Sequence, residues 1–134
     1  FRFFHFQIDL EGGPCLKKRV SACGAGNEYF SVTPQGDLYP CHQFADDPEY
    51  KMGNVFDGTL NEEIRAVFRN ANLFTKEKCK NCFAKYHCSG CAANNIHFGG
   101  DIDTPYEITC EMMKARMECA LHLYARARES ESAQ

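Results

Sequence analysis

Short apolar runs separated by turn-forming residues make up the first half of the chain. Residues 1–10 are rich in aromatic side chains and partly alternate with polar ones, which predicts a strand that ends at a Gly-Gly-Pro break. Residues 29–33 and 38–39 flank the sequence PQGD at 34–37. Proline fixes φ in such a turn and glycine accepts a positive φ, so the pattern predicts a β-hairpin.

A helical pattern follows the hairpin. Thr59 and Glu62 fit a capping box, in which the first side chain caps the helix and the second reaches back to the cap amide. The helix is predicted to end at about Asn70. Its expected buried residues are Ile64, Val67 and Phe68.

A longer helix is predicted near the end of the sequence. Pro105 is a favoured first helical residue, and the pattern continues to about Arg126. One stripe has spacings of three and four and is expected to face the core. It consists of Ile108, Met112, Ala115 and Cys119. Together these elements predict a small α+β domain with a β-hairpin, two helices and long cysteine-rich loops.

Composition and charge narrow the class of protein. The chain has 134 residues, which suits one domain, and a net charge of −3, which offers no electrostatic footprint for nucleic acid. No apolar run approaches the roughly 18 residues of a membrane span, and the first residues lack the features of a secretory signal. The odd number of cysteines, nine, argues against a complete disulfide framework. We therefore expect reduced thiols and a cytoplasmic location.

The cysteine spacing predicts metal binding. Cys79-x2-Cys82 and Cys88-x2-Cys91 are tight pairs whose sulfurs can converge on a metal. Thiolate is the soft ligand that both zinc and iron–sulfur clusters select, usually four at a time. Spacing alone does not distinguish one zinc, two zincs or two clusters, and a non-catalytic zinc-binding interaction module is the alternative function. Eight cysteines make two complete sets of four: Cys15, Cys23, Cys41, Cys79, Cys82, Cys88, Cys91 and Cys110.

The order of these cysteines resembles a known family. The series Cys23-x12-Gly36-x4-Cys41, then C-x2-C-x5-C-x2-C over residues 79–91, then Cys110, is similar to the SPASM domain. That domain is the C-terminal extension of many radical SAM enzymes that modify ribosomally made peptides. The family pattern has three residues, where this chain has two, before the fourth cysteine of the central group. The segments GAGNEYFSVTPQGDLYPCHQF and KCKNCFAKYHCSGCAANN resemble the maturases of SCIFF peptides, which install thioether cross-links in Cys-rich precursors.

The resemblance implies two auxiliary [4Fe–4S] clusters with interleaved ligands. We call the ligands implied for the first cluster the first cysteine set: Cys23, Cys41 and Cys91, completed by Cys15 or by a substrate thiolate. We call those implied for the second cluster the second cysteine set: Cys79, Cys82, Cys88 and Cys110. The implied role is electron transfer, binding of a substrate thiolate, or both.

The resemblance also implies the organisation of a longer polypeptide. Residues 1–14 are expected to be the end of a preceding radical SAM barrel strand and a linker, residues 15–128 the SPASM domain, and residues 129–134 a tail. In this family a C-x3-C-x2-C triplet holds the catalytic cluster, whose iron binds S-adenosylmethionine. None of the nine cysteines forms that triplet, so we expect this chain alone to be inactive. The expected partners are the N-terminal radical SAM domain and a Cys-rich precursor peptide, without nucleic acid or membrane.

Overall fold

A small antiparallel sheet and several helices form the α+β fold that the sequence predicts. In the computed structural model the described residues are 6–13, 20–88 and 90–132. The four strands pair in sequence order, each antiparallel to the next. They are β1 (Ser31–Val32), β2 (Asp37–Tyr39), β3 (Gly53–Asn54) and β4 (Thr59–Leu60).

The predicted hairpin is confirmed in strands β1 and β2. Ser31 pairs with Tyr39, and Val32 pairs with Leu38. In the turn, the amide of Gly36 donates to the carbonyl of Thr33 over 2.9 Å, and Gly36 has a φ of +83°. Strands β3 and β4 were not predicted, because two-residue strands made of Gly, Asn, Thr and Leu carry no alternating pattern.

Helices and helical turns carry most of the remaining chain. The α-helices are α1 (Glu62–Asn70), α2 (Glu77–Lys80), α3 (Ala92–Asn94) and α4 (Glu107–Ser132). A π-helical turn, Asn95–Gly99, continues α3, and two 3₁₀ turns, His42–Phe44 and Pro48–Tyr50, follow β2. None of the helices in the described part of the chain has the length and apolar character needed to cross a membrane.

The start of α1 differs from the prediction. Asn61, not Thr59, is the N-cap, and its side chain accepts hydrogen bonds from the amides of Glu63 and Ile64 at 3.0 and 3.1 Å. Thr59 instead belongs to β4. Phe68 is buried as expected and Ile64 packs against the core, whereas Val67 is exposed. The helix therefore begins two residues later than a capping box at Thr59 requires.

The buried stripe of α4 was also predicted wrongly. The helix begins two residues after Pro105 and continues to Ser132, beyond the expected end at Arg126. All four residues of the predicted stripe, including Cys119, are exposed. The neighbouring stripe faces the protein instead, with the same spacing of three and four: Cys110, Met113, Met117 and Ala120. The apolar periodicity predicts a helix here, but both stripes have the same spacing. The periodicity alone therefore does not identify the buried stripe.

The predicted strand over residues 1–10 is not found where it can be checked. Residues 1–5 lie outside the described residues, and residues 7–10 belong to no strand. Asp9 instead forms a turn, since its carboxylate accepts the amides of Glu11 and Gly12 at 3.1 and 2.7 Å. Glu11 then contacts α4, where the Tyr124 hydroxyl donates to its carboxylate over 2.8 Å.

The main core is small and surrounds Phe44. The Phe44 side chain is fully buried, with its ring centroid 4.5 Å from that of Tyr50 and 5.5 Å from that of Phe68. This core joins the end of β2, the 3₁₀ turns, α1 and α3. Its buried members are Ala25, Tyr39, Cys41, Phe44, Phe68 and Ala93. Cys41 is thus held at a rigid point of the fold.

Gly53 offers a test of the sheet. Its φ is +152°, and a Cβ there would lie 2.0 Å from the Thr59 carbonyl oxygen, which is backbone and cannot move aside cheaply. Gly58 also has positive φ, +71°, but no atom lies within 4 Å of its hypothetical Cβ. We expect Gly53→Ala to cost about 3 kcal/mol of stability and Gly58→Ala about 1 kcal/mol.

Thermal unfolding followed by circular dichroism, at matched metal content, measures the difference. Equal melting temperatures for the two variants would contradict the steric account of β3 and β4.

Candidate metal centre

Three parts of the chain position the second cysteine set. Cys79 lies in the single turn of α2, and the amide of Cys82 donates to its carbonyl over 3.1 Å. Cys88 ends the following turns, where its amide donates to the Ala84 carbonyl over 2.9 Å. Cys110 lies in the first turn of α4. Hydrogen-bonded turns therefore hold three of these thiols, and a long helix holds the fourth.

The thiols of the second cysteine set lie close enough to shift one another's pKa values. Burial raises the pKa of the Cys79 thiol; Cys110 raises it further, Lys76 opposes the shift, and Cys88 and Cys82 add to it. Each neighbouring thiolate disfavours the ionisation of the next one. Bound metal reverses this preference, because metal ligation requires and stabilises the thiolate.

Cys110 has the same kind of environment. Burial raises its pKa most, with further contributions from Glu107 and Cys88, while Lys114 and Lys78 oppose the shift. The effect of Cys88 on both Cys79 and Cys110 places these thiols in one electrostatic neighbourhood.

The first cysteine set gathers around the end of β2. Cys41 is buried at the N-cap of the turn His42–Phe44, and Cys91 is the N-cap of α3. Burial raises the pKa of the Cys41 thiol, hydrogen bonds from the amides of Gln43 and Phe44 oppose this, and Cys23 and Cys91 raise it further. Cys23 and Cys91 therefore raise the pKa of Cys41, whereas Cys110, Cys88 and Cys82 raise the pKa of Cys79.

Gln43 was not singled out from the sequence, yet it connects two thiols of the first set. Its side-chain Nε2 lies 3.5 Å from the sulfur of Cys91, and its backbone amide hydrogen bonds with Cys41. The amide of Asn94 also donates to the Cys91 sulfur, over 3.4 Å. Hydrogen bonds to sulfur are one of the means by which proteins tune iron–sulfur sites. Spacing could not reveal Gln43, because its partner is 48 residues away.

The chain passes between the two sets within three residues. Cys88 acts on Cys79 and Cys110, and Cys91 acts on Cys41. Gly90, with a φ of +62°, lies between them, and its amide is 3.4 Å from the Cys88 sulfur. Glycine takes such a φ without the steric penalty of a side chain. The short spacing before Cys91 is therefore compatible with a turn between the sets.

A cavity of about 260 Å³ lies among these thiols. It is lined by six cysteines: Cys23, Cys79, Cys82, Cys88, Cys91 and Cys110. Four lysines also line it: Lys76, Lys78, Lys85 and Lys114. Soft sulfur donors next to ammonium groups suit an anionic, thiolate-ligated metal group. The residues present therefore fit an iron–sulfur cluster.

A single zinc ion and a four-iron cluster require different spacings of the donor side chains. A tetrahedral zinc site needs sulfurs about 4 Å apart, given Zn–S bonds of about 2.3 Å. Within residues 6–13, 20–88 and 90–132, no three His, Cys, Asp or Glu side chains converge closely enough to hold one metal ion. A four-iron cluster separates its thiolates more widely, because each sulfur binds a different iron.

Comparisons with known proteins identify the family of this segment. Residues 23–83 match the SPASM family model, an iron-sulfur cluster-binding domain. This segment is therefore similar to SPASM domains. The match confirms the resemblance found in the sequence and includes Cys23, Cys41, Cys79 and Cys82. It leaves the assignment of individual ligands as a prediction, and Cys15 lies outside the described residues.

A curated relative extends the comparison beyond this segment. The chain is similar to the PqqA peptide cyclase of Bradyrhizobium diazoefficiens, with 25% identity over 107 residues. The alignment covers 79% of this chain and 27% of the relative. The chain therefore spans about a quarter of the length of the relative it matches.

Iron content tests the division into two sets. We expect Cys79→Ala and Cys41→Ala each to lose about half of the bound iron, because each substitution opens a different four-iron site. Cys119→Ala is the matched control, since Cys119 is exposed on α4 and its loss should leave iron unchanged. Iron and sulfide assays with Mössbauer spectra measure this. Complete iron loss in both single variants would contradict two separable sites.

Proposed function

We propose that this chain is the auxiliary-cluster domain of a radical SAM enzyme that installs thioether cross-links in a Cys-rich, ribosomally made peptide. The observation that carries the proposal is the gathering of six thiols around one cavity, in a chain whose residues 23–83 match the SPASM family model. When bound, two [4Fe–4S] clusters would supply one-electron redox chemistry.

The protein residues have three tasks in this proposal. The cysteines hold the metal as thiolates, with Cys41 fixed in the core. Amide groups, including those of Asn94 and Gly90, donate to the sulfurs of Cys91 and Cys88. Lysines around the cavity balance the negative charge of the thiolates. These tasks are binding and electrostatic tuning, which an auxiliary domain requires.

A peptide substrate is supported by the relative, whose name describes a peptide cyclase. The thioether chemistry rests on the likeness of the segments around Cys41 and Cys82 to the SCIFF maturases. We propose that an N-terminal radical SAM domain of the same polypeptide binds S-adenosylmethionine, and that the enzyme acts in the reducing cytoplasm. Cys15 is the proposed fourth ligand of the first cluster. The alternative fourth ligand is a thiolate of the substrate peptide.

A zinc-binding interaction module is the alternative function. It explains the cysteine pairs equally well, because zinc also selects thiolates. The match of residues 23–83 to an iron-sulfur cluster-binding domain supports the cluster instead.

Metal analysis after anaerobic purification tests the two functions. We expect brown protein with about eight irons per chain, as two four-iron clusters require. X-ray absorption at the iron and zinc edges identifies the metal. Colourless protein with stoichiometric zinc would support the interaction module instead.

Peptide cross-linking tests the enzymatic role. We expect the full polypeptide, given S-adenosylmethionine, a reductant and its Cys-rich precursor peptide, to yield a product that lacks two hydrogen atoms per thioether. Mass spectrometry detects that loss. The Cys79→Ala variant should bind the peptide but form little product, because its auxiliary site is incomplete. Full cross-linking by this variant would contradict a role for the second cysteine set.

A further inference from the structure

Lys76 has an unusual environment for a lysine. Only 11% of its side chain is exposed, and it lines the cavity together with Cys79. Its Nζ lies 3.3 Å from the Asn72 carbonyl oxygen and 3.7 Å from Oδ1 of Asp103. Its backbone carbonyl accepts the amide of Cys79 over 2.9 Å. A nearly buried cation is thus fixed one helical turn before a predicted ligand.

The other lysines near the second cysteine set differ from Lys76. Lys78 and Lys114 are 61% and 37% exposed, and they form closer ion pairs with Glu107 and Glu111, at 2.5 and 2.7 Å. Water and salt screen exposed charges, and each paired carboxylate cancels much of the remaining field. Lys85 also lines the cavity, where its Nζ donates to the Lys80 carbonyl over 2.8 Å. Lys76 is screened less than Lys78 and Lys114, so its field inside the cavity is a stronger candidate than theirs for an effect on bound metal.

We propose that Lys76 raises the reduction potential of the metal group held by the second cysteine set. The inference rests on the proposed function. Reduction adds one negative charge to the group, and a nearby buried cation stabilises the product more than the reactant. The fixed position of Nζ, set by the Asn72 carbonyl, keeps this effect constant during turnover.

Asp103 limits the effect of Lys76. Its Oδ1 accepts a hydrogen bond from the Thr75 hydroxyl over 2.6 Å and lies 3.7 Å from Lys76 Nζ. Its negative charge opposes the field of the ammonium group, although at 47% exposure it is more strongly screened. Lys76 and Asp103 therefore act on the reduction potential in opposite directions. Lys76 has the larger effect because it is the more buried of the two.

Redox titration of the iron-loaded protein, followed by electron paramagnetic resonance, tests the inference. Lys76→Met keeps the aliphatic stem and removes the charge, and we expect it to shift one midpoint potential downward. Lys76→Arg should restore the wild-type potential. Asp103→Asn should shift the same midpoint upward. A merely structural role for Lys76 would not give opposite shifts from the two neutralising substitutions.

Lys80→Met is the control. Lys80 follows Cys79 directly, but its side chain pairs with Glu77 and does not line the cavity. We expect its midpoints to match the wild type. Equal shifts in Lys76→Met and Lys80→Met, or no shift in both Lys76→Met and Asp103→Asn, would overturn the inference. If Lys76→Met fails to load iron, the Asp103→Asn variant tests the inference alone: an upward shift of the midpoint supports it, and an unchanged midpoint overturns it. Protein that binds zinc and no iron would overturn the proposed function, and this inference with it.

Discussion

The main constraint on the fold is that six thiols, five half-buried and one exposed, lie together around a cavity that the small core does not fill. Six buried residues around Phe44 fix one side of this arrangement, including Cys41. The second cysteine set lies on one turn of helix, a series of turns and the start of α4. Neutral thiols around an open cavity gain little from their mutual contact, and ionised thiols repel one another. Metal ligation removes both problems, so site formation and folding are coupled.

The segment between Cys88 and Cys91 gives this arrangement its internal connection. Cys88 raises the pKa values of Cys79 and Cys110, whereas Cys91 raises that of Cys41. Contacts from Gln43 and Asn94 fix the Cys91 sulfur. The four cysteines that look like one site in sequence therefore have different neighbours in the structure.

Local signals in the sequence were sufficient for some elements and insufficient for others. The turn at Gly36 and the helix ending at Asn70 follow from φ preferences and apolar periodicity, which act over a few residues. The choice of Asn61 over Thr59 as N-cap depends on the pairing of β4 with β3. That pairing links segments whose own patterns are too short to read.

The candidate site shows the same limit. Cysteine type and spacing predicted a metal centre, and the SPASM match supports it. The residues that modify the site, Gln43 and Lys76, are common polar types with no motif of their own. Their importance arises from contacts with distant or buried groups, such as Gln43 with Cys91 across 48 residues. The exposed stripe containing Cys119 failed for a related reason, because a helix pattern does not say which face the rest of the chain covers.

The length of α4 connects the site to the segment that precedes it. Twenty-six residues of helix span about 39 Å, far more than the domain core needs, and the first turn carries Cys110. In the far half, the Tyr124 hydroxyl contacts Glu11, and Arg128 lies 3.6 Å from the same carboxylate. Glu11 precedes Cys15 by four residues in sequence. One helix therefore carries Cys110 in its first turn and, through Tyr124, contacts Glu11 at a sequence separation of 113 residues. Because an α-helix is stiff over this length, α4 fixes the segment around Glu11 relative to the second cysteine set.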